Sequence, residues 1–209
     1  VSESKNLFFL GYSGHAYVVL DVALANNYNI QGYFDNKEAA FNPYKLPYLG
    51  DECTIDITSI IENGCIFPAM GSNSIRKKLI TFVKDYGLNQ IELIDPSAWV
   101  SPKACIGSSS VVAPNAIVNS LAEVGDGCII NSGAVIEHEC KVGNFSHIAP
   151  GAVLAGNIVL GSLTFVGANA VIKQGITVGD NVTIGAGSVV LKDIPNGEVW
   201  VGNPAKRIK

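Results

Sequence analysis

The chain has 209 residues and a formal net charge of -4, with 14 Lys and Arg against 18 Asp and Glu. That length holds one large domain or two modest ones, and the mild acidity argues against nucleic-acid binding, because the densest basic cluster is only Arg76-Lys77-Lys78. The five cysteines, Cys53, Cys65, Cys105, Cys128 and Cys140, show no metal-ligand spacing and cannot all pair, which predicts no metal centre and a reduced, cytoplasmic compartment.

In chain order, the apolar run within Asn6–Leu10 is too short for a signal or membrane segment and reads as a first buried strand. Gly11-Tyr12-Ser13-Gly14-His15 follows as a turn into a helix from His15 to Ala25, which stops at Asn26-Asn27. A second strand, Asn29–Phe34, ends at Asp35-Asn36. The stretch from Ala39 to Pro47 is a loop, because Asn42-Pro43 and Leu46-Pro47 break both periodicities. A third strand, Cys65–Met70, ends at Gly71 and feeds a helix from Ile75 to Tyr86. Strands alternating with helices predict a small Rossmann-like parallel α/β unit over residues 1–92, whose ligands sit at the carboxyl ends of the strands. Ser13, Gly14, His15, Asp35, Asn36 and Gly71 all fall at such ends. The turn lacks the full Gly-x-Gly-x-x-Gly fingerprint, so it does not predict a dinucleotide site.

From Val100 to Val190 every sixth residue is Val, Ile or Leu. Neither a helix nor an alternating strand confines aliphatics to one position in six, whereas a solenoid of short strands does. Three six-residue faces make one coil, with the aliphatic of each pointing inward, so residues 93–209 are expected to form roughly five coils at ~4.8 Å spacing. Two places before the aliphatic usually stands a small residue, such as Ala116, Ala122, Cys128, Ala134 or Cys140, where a large side chain would collide with the next coil. Cys128 and Cys140 therefore read as packing residues. Gly or Asn often follows the aliphatic, as at Gly107, Asn119, Gly125, Asn131 and Gly143, and is expected to take the positive φ of the corners.

Four motifs occur together: Gly11–His15, Gly71–Lys78, Glu137-His138-Glu139-Cys140, and the closing Val201-Gly202-Asn203-Pro204-Ala205-Lys206-Arg207. With the hexads, the chain resembles the bacterial hexapeptide-repeat sugar acetyltransferases, the group of UDP-4-amino-sugar N-acetyltransferases and sialic acid O-acetyltransferases, over nearly its whole length. The resemblance implies a left-handed parallel β-helix, a hand that the period does not fix. It also implies a homotrimer with sites between neighbouring chains, a nucleotide-sugar substrate and acetyl-CoA as co-substrate. Carried over by position, Ser13, Gly14, His15, Asp35, Asn36 and Gly71 contact the nucleotide-sugar, His138 is the base and Glu139 its partner carboxylate, and His147, Gly156, Ala168 and Ala186 line the acetyl-CoA site. Asn36 stands where a second Asp is frequent, and Tyr12 where a small residue is.

An amine attacking a thioester must shed a proton, and imidazole, with an ordinary pKa near 6.5, accepts one at neutral pH. Neighbouring side chains on a straight strand point to opposite faces, so contact between His138 and Glu139 requires a corner or bulge. Backbone amides at Ala155-Gly156 are candidates to stabilise the oxyanion. No Cys or Ser stands beside a base in a recognised nucleophile motif, so direct transfer is expected. O-acetylation of a sialic acid or another sugar fits the same base. A non-catalytic nucleotide-binding or scaffold protein is the alternative of another class.

Overall fold

The computed structural model describes residues 6–209, and the portion of the expected front unit on residues 1–5 lies outside the described residues. The front unit contains β1 (Asn6–Leu10), α1 (Gly14–Ala25), β2 (Asn29–Phe34), α2 (Ile57–Ile61), β3 (Cys65–Pro68), α3 (Asn73–Asp85) and β4 (Asn89–Gln90). Its sheet has the order β2-β1-β3-β4, with every pair parallel. After the exposed Asn6, β1 is apolar from Leu7 to Leu10 because it is covered on both faces. Leu7 and Phe9 join a core with Ala16, Val19 and Leu20 of α1, whereas Phe8 and Leu10 turn to Ile57, Ile61 and Val83. The expected strand bounds of β1 and β2 hold, while β3 ends two residues early and α3 begins two residues early.

From Leu93 the chain winds into a parallel β-helix with three faces. The first face carries six strands, from Trp99–Val100 to Val189–Val190, the second carries five, from Cys105–Ile106 to Thr177–Val178, and the third carries eight. Neighbouring strands on a face lie 18 residues apart in sequence, as in Ile129↔His147 and His147↔Phe165, until the end of the third face, where Thr183 pairs with Val199. The stack is about one coil longer than the aliphatic run suggests, because Leu93–Ile94 and Val199–Val201 extend the third face at its two ends. Val124, Ile130, Ile136, Val142 and Ile148 are all at most 4% exposed. Each buried aliphatic of this size contributes about 1.5–3 kcal/mol relative to exposure.

The corners differ from expectation in one respect. Positive φ falls three residues after each aliphatic, at Ser109, Asn115, Leu121, Gly127, Gly133 and Glu139 and onward to Gly187, rather than immediately after it. Left-handed backbone costs a non-glycine residue about 1–2 kcal/mol. Most of these corner N–H groups donate to a carbonyl of the preceding coil, as Glu139 N does to Ser120 O at 3.1 Å and Phe145 N to Asp126 O at 2.8 Å, whereas Asn115 N donates to Ser97 Oγ at 3.1 Å. The glycines directly after the aliphatics serve close approach instead. A Cβ at Gly143 would lie 2.5 Å from Ser162 N, and one at Gly161 would lie 2.5 Å from Asp180 N.

The small residues two places before the aliphatics are buried and several donate upward. Ser110, Cys128, Ser146 and Thr164 form one column, each giving a hydrogen bond to the carbonyl of a glycine: Gly125, Gly143, Gly161 and Gly179 respectively. Cys128 and Cys140 thus occupy packing slots, as expected, with Cys140 Sγ 3.1 Å from Ala155 O.

The front unit sits on the third face. Leu93, Val111 and Ile129 point outward from successive coils into the core built around α1 and β1. His147 is the next residue in that outward column, followed by Phe165 and Thr183.

Candidate active site

The first cluster forms at the carboxyl ends of β1, β2 and β3. Gly11 N donates to Phe34 O and Ala69 N to Leu10 O, both at 2.8 Å, which ties the three strand ends together. This is where the sheet order reverses, the crevice in which open parallel sheets bind ligands. Gly11 is required there by its φ of 85° and by Met70, which occupies the space of a Cβ. Gly14 meets nothing within 4 Å, and Ser13, the N-cap of α1, makes no side-chain capping bond, so both face open space at the helix start. Asp35 is held firmly: Oδ2 accepts from Tyr12 N at 3.0 Å and Oδ1 from Asn36 N at 2.8 Å. The Asn36 side chain is exposed.

His15, at the start of α1, leans from this cluster toward the solenoid. Its ring centroid is 6.4 Å from that of His147, which meets Phe165 edge-on at 5.1 Å on its other side. Gly71 lies against His15, since a Cβ on it would be 3.6 Å from the His15 Cβ. Burial, with the Arg76 charge second, pushes His15 down to about 4. The same two causes, in the same order, push His147 down to about 3 against a smaller opposing hydrogen bond to the Gly71 backbone. Both rings are therefore neutral at pH 7. His147 Nε2 lies 3.1 Å from Asn131 Nδ2, whereas His15 Nε2 is buried without a partner among the described residues.

The second cluster lies elsewhere on the prism. His138 and Glu139 occupy the corner between a first-face strand (Val135–Ile136) and a second-face strand (Lys141–Val142), which is the edge opposite the third face. The left-handed turn at Glu139, φ 61°, swings its carboxylate round to its neighbour, so that Oε2 lies 3.0 Å from His138 Nδ1. The corner that the contact requires is thus present. Nε2 is left to face the coil above, where Gly156 stands: a Cβ there would be 2.6 Å from Nε2. Glu137, on the other flank, is engaged by Asn119 Nδ2 at 2.9 Å.

The residues expected at the acetyl-CoA site are dispersed. Gly156 lies beside His138, His147 lies on the third face, and Ala168 and Ala186 occupy successive coils at the corner between the third and first faces. Within one chain, the His138 edge and the His15–His147 junction are on opposite sides of the prism. Three contributors escaped the sequence reading. Asn131 carries no mark beyond its place after an aliphatic. Arg76 hides in a basic cluster that resembles a solvated helix face. Tyr12 is 5% exposed, stacks on Tyr33 at 4.3 Å, and donates from its hydroxyl to Asn42 Oδ1 at 2.7 Å, fixing the loop after β2.

A parallel α/β unit is thus seated on one face of a three-sided parallel β-helix, with an exposed histidine-glutamate pair at the edge opposite that face. Residues 6–83 match the PglD N-terminal domain, and residues 121–156 and 157–192 match the bacterial transferase hexapeptide (six repeats). The UDP-N-acetylbacillosamine N-acetyltransferase of Bacillus subtilis is 33% identical over 113 residues, a match that takes in 52% of this chain and 51% of that relative. The chain is also similar to the acetyltransferase domain of PglB from Neisseria gonorrhoeae in complex with acetyl coenzyme A, with 35% identity, a TM-score of 0.91 and coverage of 98% of this chain and 100% of that one. PerB from Caulobacter crescentus, in complex with CoA and GDP-perosamine, is 32% identical with a TM-score of 0.93 over 98% of this chain and 97% of that one. The chain belongs to the hexapeptide-repeat sugar N-acetyltransferases of the PglB and PerB type.

Proposed function

We propose that this protein transfers the acetyl group of acetyl-CoA to the amino group of a nucleotide-linked amino sugar, most specifically a UDP-linked 4-amino sugar, with His138 as general base. The observation that carries the reading is the His138 corner. Glu139 occupies Nδ1, which leaves Nε2 directed over a glycine. In this reading the neutral amine attacks the thioester carbonyl while Nε2 takes its proton. The Gly156 N–H, which has no backbone partner among the described residues, stabilises the oxyanion. Collapse of the tetrahedral intermediate forms the amide, breaks the C–S bond, and returns the proton from His138 to the departing thiolate.

Cys140 does not serve as nucleophile in this scheme. Its thiol is buried, bonded to a carbonyl, and raised in pKa by burial. The nucleotide-sugar is assigned to the strand-end crevice, with Ser13, Gly14, His15, Asp35, Asn36 and Gly71 around it, and acetyl-CoA to the solenoid near Gly156, His147, Ala168 and Ala186. Because the two histidine groups lie on opposite sides of one prism, the working site is assembled between chains of a homotrimer, with the His138 edge of one facing the junction of the next.

Release of free CoA thiol in the presence of UDP- and GDP-linked 4-amino sugars tests the reading. Rapid release with an amino-sugar nucleotide and none with its hydroxyl counterpart is expected. Release with a sialic acid but not with the amino sugars would move the assignment to O-acetylation, and no release with any acceptor would contradict transferase activity.

A further inference from the structure

The first turn of α3 is fastened to one edge of the prism by a single arginine. Arg76 is 1% exposed, and its guanidinium spends all five N–H donors on neutral acceptors. Nε donates to Gly127 O at 2.6 Å. Nη1 donates to Met70 O at 3.0 Å and Gly71 O at 3.1 Å, and Nη2 to Asn73 Oδ1 at 2.8 Å and Phe145 O at 2.9 Å. Asn73 extends the clamp, its Nδ2 donating to Leu163 O at 3.1 Å and Thr164 O at 3.3 Å. Gly127, Phe145 and Leu163 are the left-handed corner residues of three successive coils, with φ of 62°, 61° and 59°.

A buried cation without a carboxylate is costly, and an apolar side chain of similar volume would give glue without that cost. Among the described residues no carboxylate bonds this guanidinium. The planar fork does something that an apolar residue or a lysine does not: it fixes several carbonyls in one plane at set distances. Those carbonyls come from the two parts of the transfer site. Met70 and Gly71 end the β3 loop against His15, while Phe145 stands two residues before His147.

We propose that Arg76 is a positioning residue for acetyl transfer, holding the nucleotide-sugar loop at Gly71 and His15 in register with the coil that carries His147. The inference rests on the strand-end crevice being the nucleotide-sugar subsite, as given above. Its charge also acts on the two histidines it positions, being the second cause, after burial, that keeps both neutral. The other titratable group facing the guanidinium is the buried Cys128 thiol, which burial raises to about 11 and which stays neutral.

The test compares Arg76→Met, Arg76→Lys and the milder Asn73→Ala with the parent protein, each checked for folding by circular dichroism. A 1 Å misplacement of reacting groups costs about 10²-fold in rate. Arg76→Met is therefore expected to raise KM for the nucleotide-sugar about tenfold or more and to lower kcat, with acetyl-CoA KM within about twofold of the parent. Arg76→Lys should fall between, since it restores charge without the fork. Lost material alone would lower kcat in proportion and leave both KM values in place, and that outcome would overturn the proposal. The chain has only three histidines, so ring-proton contacts between His15 and His147 are readable by NMR with His138 as internal control. Their loss in Arg76→Met, or their weakening in Asn73→Ala should the former not fold, is expected. Unchanged contacts in every folded variant would overturn the proposal even if the parent acetylates no nucleotide-sugar, an outcome that would sink the functional reading separately.

Discussion

In the proposed mechanism, His138 and its neighbour make a base out of a turn. Both side chains are about half exposed, so their contact contributes little to stability, and its value lies in fixing the tautomer and aim of the ring. His138→Ala should lower kcat by about 10²–10⁴ with acetyl-CoA affinity preserved. The motif made His138 and Glu139 legible in the sequence. Their contact was not, because it depends on left-handed backbone at a glutamate, which no residue preference announces. Arg76 and Asn131 were illegible for a related reason: what distinguishes them is the coil they meet after folding.

The junction histidines make a second prediction at the residue scale. Their folded pKa values, about 4 for His15 and about 3 for His147, lie below the unfolded value of 6.5. The unfolded chain therefore binds more protons in acid. Stability from these groups is fully present above pH 6.5 and is lost as the pH falls toward 4 and below, at up to about 1.4 kcal/mol per pH unit for each. Urea unfolding between pH 7 and pH 4.5 should show a shallower loss in His147→Gln than in the parent. Identical slopes would contradict a buried neutral His147.

Elements of two kinds share this chain, and the sequence announces them unequally. The hexad states the solenoid outright, since one aliphatic per six residues has a single use. α2 and β4, five and two residues long, are too short to establish a period and emerge only from packing against β1 and β3. The glycines after the aliphatics answer to close approach rather than to positive φ, a difference hidden beforehand because sequence does not separate a glycine that needs positive φ from one that meets backbone above it. Gly133 has φ 64° and open space, whereas Gly143 meets the next coil at 2.5 Å. Gly143→Ala should therefore lower the melting temperature more than Gly133→Ala, whose cost is bounded by about 1–2 kcal/mol of backbone strain. Ile136→Ala, which empties one rung of the ladder, should cost about 2–5 kcal/mol in denaturant unfolding. An unchanged midpoint would place that side chain outside the core.

At the scale of the molecule, the front unit brings its strand-end crevice, the proposed nucleotide-sugar subsite, to one face of the prism, while His138, the proposed base, stands on the opposite edge. Asp35→Ala should raise KM for the nucleotide-sugar and leave acetyl-CoA binding nearly intact, because Asp35 organises the crevice through Tyr12 and Asn36 and touches no residue of the His138 edge. The central claim is that the two halves meet only between chains of a trimer. Mixed trimers test it most directly. A His138→Ala chain retains the junction, and a chain carrying both His15→Ala and His147→Ala retains the base. Each alone should be nearly inactive, yet when the two are co-expressed in equal amounts, random association restores about a quarter of the sites and about a quarter of the parent's acetyl transfer. Activity no higher than that of the separate variants, from folded mixed trimers, would contradict a site shared between neighbours.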